Sequence, residues 1–367
     1  MLTFNISSKT FHKYRQQLIS CFFGFIIKKR IENRVYLRLF YILFSFVNRF
    51  YYEQPFKKEN HHYIPQFILR NFAIPGTGCI YEYSLNSLNP KRISIKKEAA
   101  SVVNFYSFNK YNSGGYSNFT EKNVLSEIIE KYSSKVIKNI VESRFDKLIS
   151  LEENMLSHYA AFQYTRTPAF HLQLRLFLLF LIENKNLDLK YFTNKYKYEL
   201  MDVVINNKLE VDIYEFKKYF YNENHIDIYG DLSKYLDNSN HVVLLLSNTI
   251  ANHIIEPLFR KKIYILESFK PLYFMMPDTG VLVFDFKDSN NLWPYGWDFS
   301  KNSMSLMAPL SPNKCIIFTN SEINAVIREE YIKLGVGSVY YQKLKYIYSD
   351  RNDSAIQKNI FKHDFIT

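Results

Sequence analysis

Glycine and proline are scarce in this chain, at 10 and 11 of 367 residues. So few turn formers argue against an all-β sandwich of many short strands. Cysteine is scarcer still. Cys21, Cys79 and Cys315 stand far apart, with no Cys-x-x-Cys pair and no disulfide framework, which fits a reducing cytoplasm best. No Gly-rich phosphate loop, His-Glu-x-x-His helix, Gly-x-Ser-x-Gly elbow or Cys/His zinc spacing occurs. Their absence turns the reading away from P-loop nucleotide hydrolysis, zinc proteolysis and α/β-hydrolase chemistry. Long apolar runs are missing too. Residues 18–27 (LISCFFGFII) and 35–47 (VYLRLFYILFSFV) are the most apolar stretches, and Arg38 interrupts the second. Both fall short of the roughly 20 residues that span a bilayer. No small-residue cleavage site follows them, so a secretory leader is not expected. They read as two helices packed on the main domain. Attachment to a membrane surface, through apolar residues flanked by basic ones, is the minority alternative.

What the chain does have is apolar and aromatic mass. Hydrophobic residues make up 47%, including 30 Tyr and 32 Phe, enough to build a core and to exclude a disordered chain. The formal charge is +12, a balance that favours polyanions such as nucleic acid or an anionic membrane face. A coding bias toward Lys, Asn, Ile, Tyr and Phe would produce the same surplus without a functional cause.

Patterning along the chain gives the organisation. Pro55 and the polar run before His61 mark a boundary, so residues 1–58 read as a helical, apolar and basic extension. Strands are expected at 79–85 (CIYEYSL), 92–95 (RISI) and 104–108 (NFYSF). A long helix opens at Thr120, with Glu121 suited to its positive end. Val124, Leu125, Ile128, Ile129, Tyr132, Val136, Ile137 and Ile140 form its apolar stripe. Further helices are expected at 158–166, 171–184 and 242–259, with a variable insertion over 186–240. Strands follow at 262–268, 272–278, 281–286, 305–312 and 315–320, and then a closing helix over 321–335 that ends at Gly335. The main domain is read as 59–345 and residues 346–367 as a tail. The fold class expected is α+β, predominantly helical, with a strand-rich C-terminal third.

The stretch ENHHYIPQFILRNFA (59–73) concentrates imidazole, amide and guanidinium groups. If it starts extended, His61 and His62 point to opposite sides, so one histidine is expected to face a pocket and the other the surface. If Pro65 then begins a helical turn, Gln66 and Arg70 share a face opposite Phe67. Asn71 closes the stretch. Arg70 could grip a phosphate or carboxylate with a bidentate fork, or pair with a helix glutamate. Glu127 and Glu130, three residues apart, could hold Mg²⁺ or Mn²⁺, or stand solvated. Gln163 and Arg166, also three apart, could form an anion site or brace a helix end.

HHYIPQFILRNFA resembles the opening motif of a microbial domain-of-unknown-function family, a His-Tyr-Val-Pro-Gln-Phe-x-Leu-Arg-x-Phe pattern. His62, Tyr63, Pro65, Gln66, Phe67, Leu69, Arg70 and Phe72 match it. NFYSF, TEKNVLSEIIEKYSSKVI, AFQYTRTPAF and APLSPNKCI resemble its later blocks in order, with Gln163, Arg166, Thr167 and Pro168 matching a Gln-x-x-Arg-Thr-Pro segment. FMMPDTG departs from the family's Thr-Ser-Asp-Asn-Pro turn and keeps only Asp278. The resemblance spans about 59–342, implies that the first sixty residues are an addition, and favours His62 over His61 as the site histidine.

Two functional readings follow. In the first, the protein is a cytosolic metal-dependent nuclease or other nucleic-acid-directed phosphodiesterase. His62 would be the base, Glu127 and Glu130 metal ligands, Arg70 and Arg166 phosphate contacts, and Gln66 and Gln163 polar site residues. In the second, it is a non-catalytic binding module in which HHYIPQF is a structural clasp.

Overall fold

The computed structural model describes residues 59–84, 86–109, 116–117, 125–127, 129–143, 148–184, 239–285, 299, 301–343 and 345–363. The N-terminal apolar runs, the cap at Thr120 and Glu121, and all but the last two residues of the expected insertion lie outside them.

Four antiparallel strands form the first sheet: β7 (Lys262–Glu267), β9 (Leu282–Asp285), β10 (Met304–Ser311) and β11 (Lys314–Thr319), in the order β7-β11-β10-β9. Strands β10 and β11 are buried along their whole length, which is why CIIF and LMAPL read as near-continuous apolar runs rather than alternating ones. The second sheet has the order β3-β2-β12-β8, from β2 (Cys79–Ser84), β3 (Lys91–Ser94), β8 (Met276–Pro277) and β12 (Tyr346–Ser349). Two ribbons complete the strands: β1 (Asn60–His62) with β4 (Ser101–Val103), and β5 (Phe108–Asn109) with β6 (Tyr116–Ser117).

The helices are α1 (Gln66–Leu69), α2 (Lys131–Val141), α3 (Ser150–Thr165), α4 (Pro168–Asn184), α5 (Ser239–Phe259), α6 (Ala325–Gln342) and α7 (Ser354–His363). A 3-10 turn, Arg70–Phe72, extends α1. Helix α5 packs on α3 and α4. Among the described residues it is the one helix long and apolar enough to cross a membrane by length and composition. One core cluster joins the two sheets and α6 through Tyr83, Leu266, Phe274, Met307, Ile317, Ile332, Val339 and Ile347.

Four expectations need correction. The fold is not predominantly helical: two four-stranded antiparallel sheets organise its core, and the second recruits β2 and β3 from the N-terminal part. NFYSF is mostly a turn, and only its last residue, Phe108, enters a strand. Asn104 adopts φ 54°, and its side-chain Oδ1 accepts from the Glu59 amide at 3.1 Å, closing the reversal. The closing helix does not stop at Gly335 but continues to Gln342. A Cβ on Gly335 would lie 2.4 Å from Met307 Sδ, so this glycine permits close packing instead of ending the helix. Tyr346–Ser349, read as the start of a tail, is an inner strand paired with both β2 and β8.

Candidate functional site

The HHY segment runs along β1, and its backbone is tied to the chain around residue 100. His62 pairs with Ser101 across the β1–β4 ribbon, and the Tyr63 amide donates to Ala100 O at 2.9 Å. Neither histidine faces the surface, contrary to expectation. His61 is 1% exposed and His62 7%, because the 104–107 turn covers one side of the ribbon and the 96–99 turn the other. His61 stacks on Tyr106 with ring centroids 5.7 Å apart. Its Nδ1 accepts the Tyr106 amide N–H at 2.9 Å, so the lone pair on that nitrogen is in use and the proton sits on Nε2. His62 Nδ1 lies 3.0 Å from Ala99 O and donates to it. Burial lowers the His62 pKa, opposed by the backbone bonds to Ala99 and Lys96, so its ring is neutral at pH 7.

Arg166 follows the last turn of α3 and is 4% exposed. Nη1 donates to Glu130 Oε1 at 2.7 Å, Nη2 to His62 O at 2.5 Å, and Nε to the Tyr106 hydroxyl at 3.3 Å. The Tyr106 hydroxyl in turn donates to Arg166 O at 2.7 Å. Every guanidinium nitrogen is therefore committed within the knot. Burying a guanidinium is costly unless a carboxylate and further acceptors meet it, and Glu130 and His62 O meet that need.

One turn earlier on α3, Gln163 Nε2 donates to Tyr63 O at 3.0 Å. A Cβ on Gly280 would stand 2.0 Å from that nitrogen, and Gly280 has φ +72°. Only glycine fits that approach and that backbone angle. The neighbouring Asp278 is buried. Its Oδ2 accepts the Lys345 and Tyr346 amides at 2.7 and 2.9 Å, which fixes β8 to the start of β12. The Tyr63 and Tyr348 hydroxyls lie 3.1 Å apart, and the Ala100 amide donates to Tyr348 at 3.2 Å.

The structure thus gathers His62, Gln163, Arg166, Glu130 and the Asp278–Gly280 turn at one place. It leaves Gln66, Arg70 and Glu127 outside that knot. Arg70 is exposed, and its Nη2 donates to Gln66 Oε1 at 3.2 Å across one helical turn. Glu127 is exposed and pairs with Lys131 at 3.4 Å. Asn71 reaches Leu310 O at 2.9 Å, pinning α1 to β10. Among the described residues, no three His, Cys, Asp or Glu side chains stand close enough to hold a metal ion.

Sequence reasoning missed Tyr106, Gly280 and Tyr348. Tyr106 lies inside NFYSF, a block that reads as a strand and a family segment but carries no sign of a site role. Gly280 carried a signal, a glycine directly after Asp-Thr between apolar runs, but nothing in the sequence pointed to Gln163 as its neighbour. Tyr348 carried none, since its partner Tyr63 is 285 positions away.

No curated protein and no solved structure matches the chain. One family profile does, over residues 60–354, a span that contains every segment of the knot. By that match the chain belongs to the family described as protein of unknown function (DUF4238).

Proposed function

We propose that the protein is a non-catalytic binding protein in which HHYIPQF acts as a structural clasp. The observation that carries this reading is the commitment of Arg166: its Nη1, Nη2 and Nε are bound to Glu130, His62 O and Tyr106. A phosphate would have to displace those partners to reach the guanidinium. His62 supports the same reading, since its ring is buried and bonded to the Ala99 carbonyl. Glu130, as a metal ligand, would have to leave its ion pair. The surplus of positive charge, +12, directs binding toward a polyanion, and nucleic acid is the class that fits.

The deciding experiment offers labelled DNA and RNA to the full-length protein with Mg²⁺, Mn²⁺ or EDTA, beside His62→Ala. The reading expects no metal-dependent cutting, and a lower melting temperature for the variant, since a buried hydrogen-bonded group removed costs about 1–3 kcal/mol. Metal-dependent cutting that His62→Ala abolishes while melting unchanged would overturn it in favour of a phosphodiesterase.

A further inference from the structure

The clasp holds one particular segment, and that segment is strongly basic. Residues 91–97 read KRISIKK, four cations in seven positions. Lys91, Arg92, Lys96 and Lys97 are all exposed. Several cations on or beside the helices have carboxylate partners, as in Lys131–Glu127, Lys138–Glu142, Arg260–Glu256 and Lys333–Glu329. Among the described residues none of the four forms an ion pair, although Glu82 stands opposite Lys91 across the β2–β3 pair. Strand β3 is the outer strand of its sheet, and among the described residues no strand pairs with its far side.

The segment is also held firmly. Ile95 N donates to Gly78 O at 3.2 Å, and the Glu98 and Ala99 amides donate to Ser94 O at 2.9 and 3.1 Å. The Glu98 carboxylate is turned back onto the Ser94 amide at 3.3 Å. The motif supplies the other anchors: Asn60 Nδ2 donates to Lys97 O at 3.1 Å, and His62 Nδ1 binds Ala99 O. Cations on a fixed backbone lose less freedom on binding than cations on a loose loop. Between them, Ile95 is buried and Ile93 half-buried, so the edge presents more charge than apolar surface. Leu88 at the hairpin tip is exposed, as are Val102 and Val103 on β4; the two valines are strand neighbours on opposite faces, and scattered exposed apolar side chains are ordinary. Four cations with so little apolar surface suit a phosphodiester chain better than a membrane.

We propose that β3 and the turn after it form a nucleic-acid contact in which Lys91, Arg92, Lys96 and Lys97 neutralise backbone phosphates, with the HHY clasp holding the turn in place. This rests on the binding reading above and adds its partner surface.

The test compares three full-length proteins: wild type, a quadruple edge variant (Lys91→Gln, Arg92→Gln, Lys96→Gln, Lys97→Gln), and a control of equal charge loss (Lys131→Gln, Lys138→Gln, Arg260→Gln, Lys333→Gln). Each is titrated with labelled single-stranded and duplex probes over a range of salt, and thermal melting checks folding. The expected result is a loss of about tenfold or more for the edge variant, with its salt slope reduced by about 3 on single strands, at ~0.7 per phosphate contact. The control keeps wild-type affinity and slope. Equal losses in both variants would overturn the edge assignment and leave the polyanion reading standing. Unchanged binding with new self-association would also overturn it, making the cations a guard against edge-to-edge pairing. Wild-type binding to anionic vesicles but to neither probe would overturn it in favour of a membrane. No binding to any of these would remove the polyanion reading as well.

Discussion

At the scale of single residues, Arg166 carries the heaviest energetic demand. It is a buried cation whose charge is met by one carboxylate and two neutral acceptors. Removing one partner of such a pair strands the other, at about 3–5 kcal/mol. Arg166→Ala should therefore lower the urea midpoint sharply. Arg166→Met combined with Glu130→Leu should recover much of the loss, because an apolar pair leaves no buried charge. If the double variant is as unstable as the single, the knot depends on the hydrogen bonds to His62 O and Tyr106 rather than on charge compensation. His171 gives a second residue-level test. It is buried against Phe105, with ring centroids 4.6 Å apart, and burial, helped by Arg175, pushes its pKa down to about 3. The unfolded chain then binds the proton more readily than the folded one. Stability is full above the ordinary value of 6.5 and is lost as pH falls from there toward about 3, where the unfolded state carries more protons. Burial lowers His62 and His158 too, so they add to the same slope. His171→Phe should flatten it by up to one proton in pH-dependent urea titrations and change nothing above pH 7. A parallel slope in the variant would mean that His171 is protonated without cost.

At the scale of elements, side chains complete what strands and helices leave open. Strand β9 is an edge of the first sheet, and Gln342 at the end of α6 closes it: its Oε1 accepts the Val283 amide and its Nε2 donates to Val283 O, both at 2.8 Å. Gln342→Ala leaves two buried backbone groups without a partner, and should cost roughly 1–3 kcal/mol in chemical denaturation. The β8–β9 turn depends in the same way on Gly280. Gly280→Ala would meet the Gln163 amide and take on the strain of a left-handed backbone, about 1–2 kcal/mol. Pairing it with Gln163→Ser should relieve the clash and leave the strain, giving partial recovery of thermal stability. Full recovery would show that φ +72° carries no cost here. These contacts explain what the sequence showed and what it hid. Apolar periodicity marked α3 to α5 and the strands β10 and β11, because their burial is written in consecutive residues. The Gln163–Arg166 pair could be noticed, but not that Glu130 rather than a ligand would meet it, since that needs the packing of α2 on α3. NFYSF misled because aromatic strand formers outweighed the single Asn104 that turns the chain. Gly335 misled because a helix-ending residue and a close-packing residue look identical in sequence.

At the scale of the molecule, the two ends of the family span are joined in one sheet. Strand β12 lies between β2 and β8, pairing Tyr346–Ser349 with Tyr81–Ser84 on one side and Tyr348 with Met276 on the other. Tyr348 reaches the motif through Tyr63 and the Ala100 amide. Helix α7 adds a bond from Gln357 Nε2 to Ser84 O at 2.9 Å, and Tyr83 donates to Arg351 O at 2.7 Å. A chain ended after Lys345 would lose an inner strand, open both of its neighbours to water and leave Asp278 without the Tyr346 amide. An inner strand cannot be replaced by solvent as an edge can, because its Ile347 also fills the core that holds Tyr83. The truncated protein should therefore show no cooperative thermal transition and should be degraded rapidly by protease. A chain ended after His363 keeps β12 and α7 and should melt as the full chain does. If the version ending at Lys345 folded cooperatively, the second sheet would be complete without its inner strand, and the clasp would hold residues 97–100 by β1, α3 and Gly280 alone.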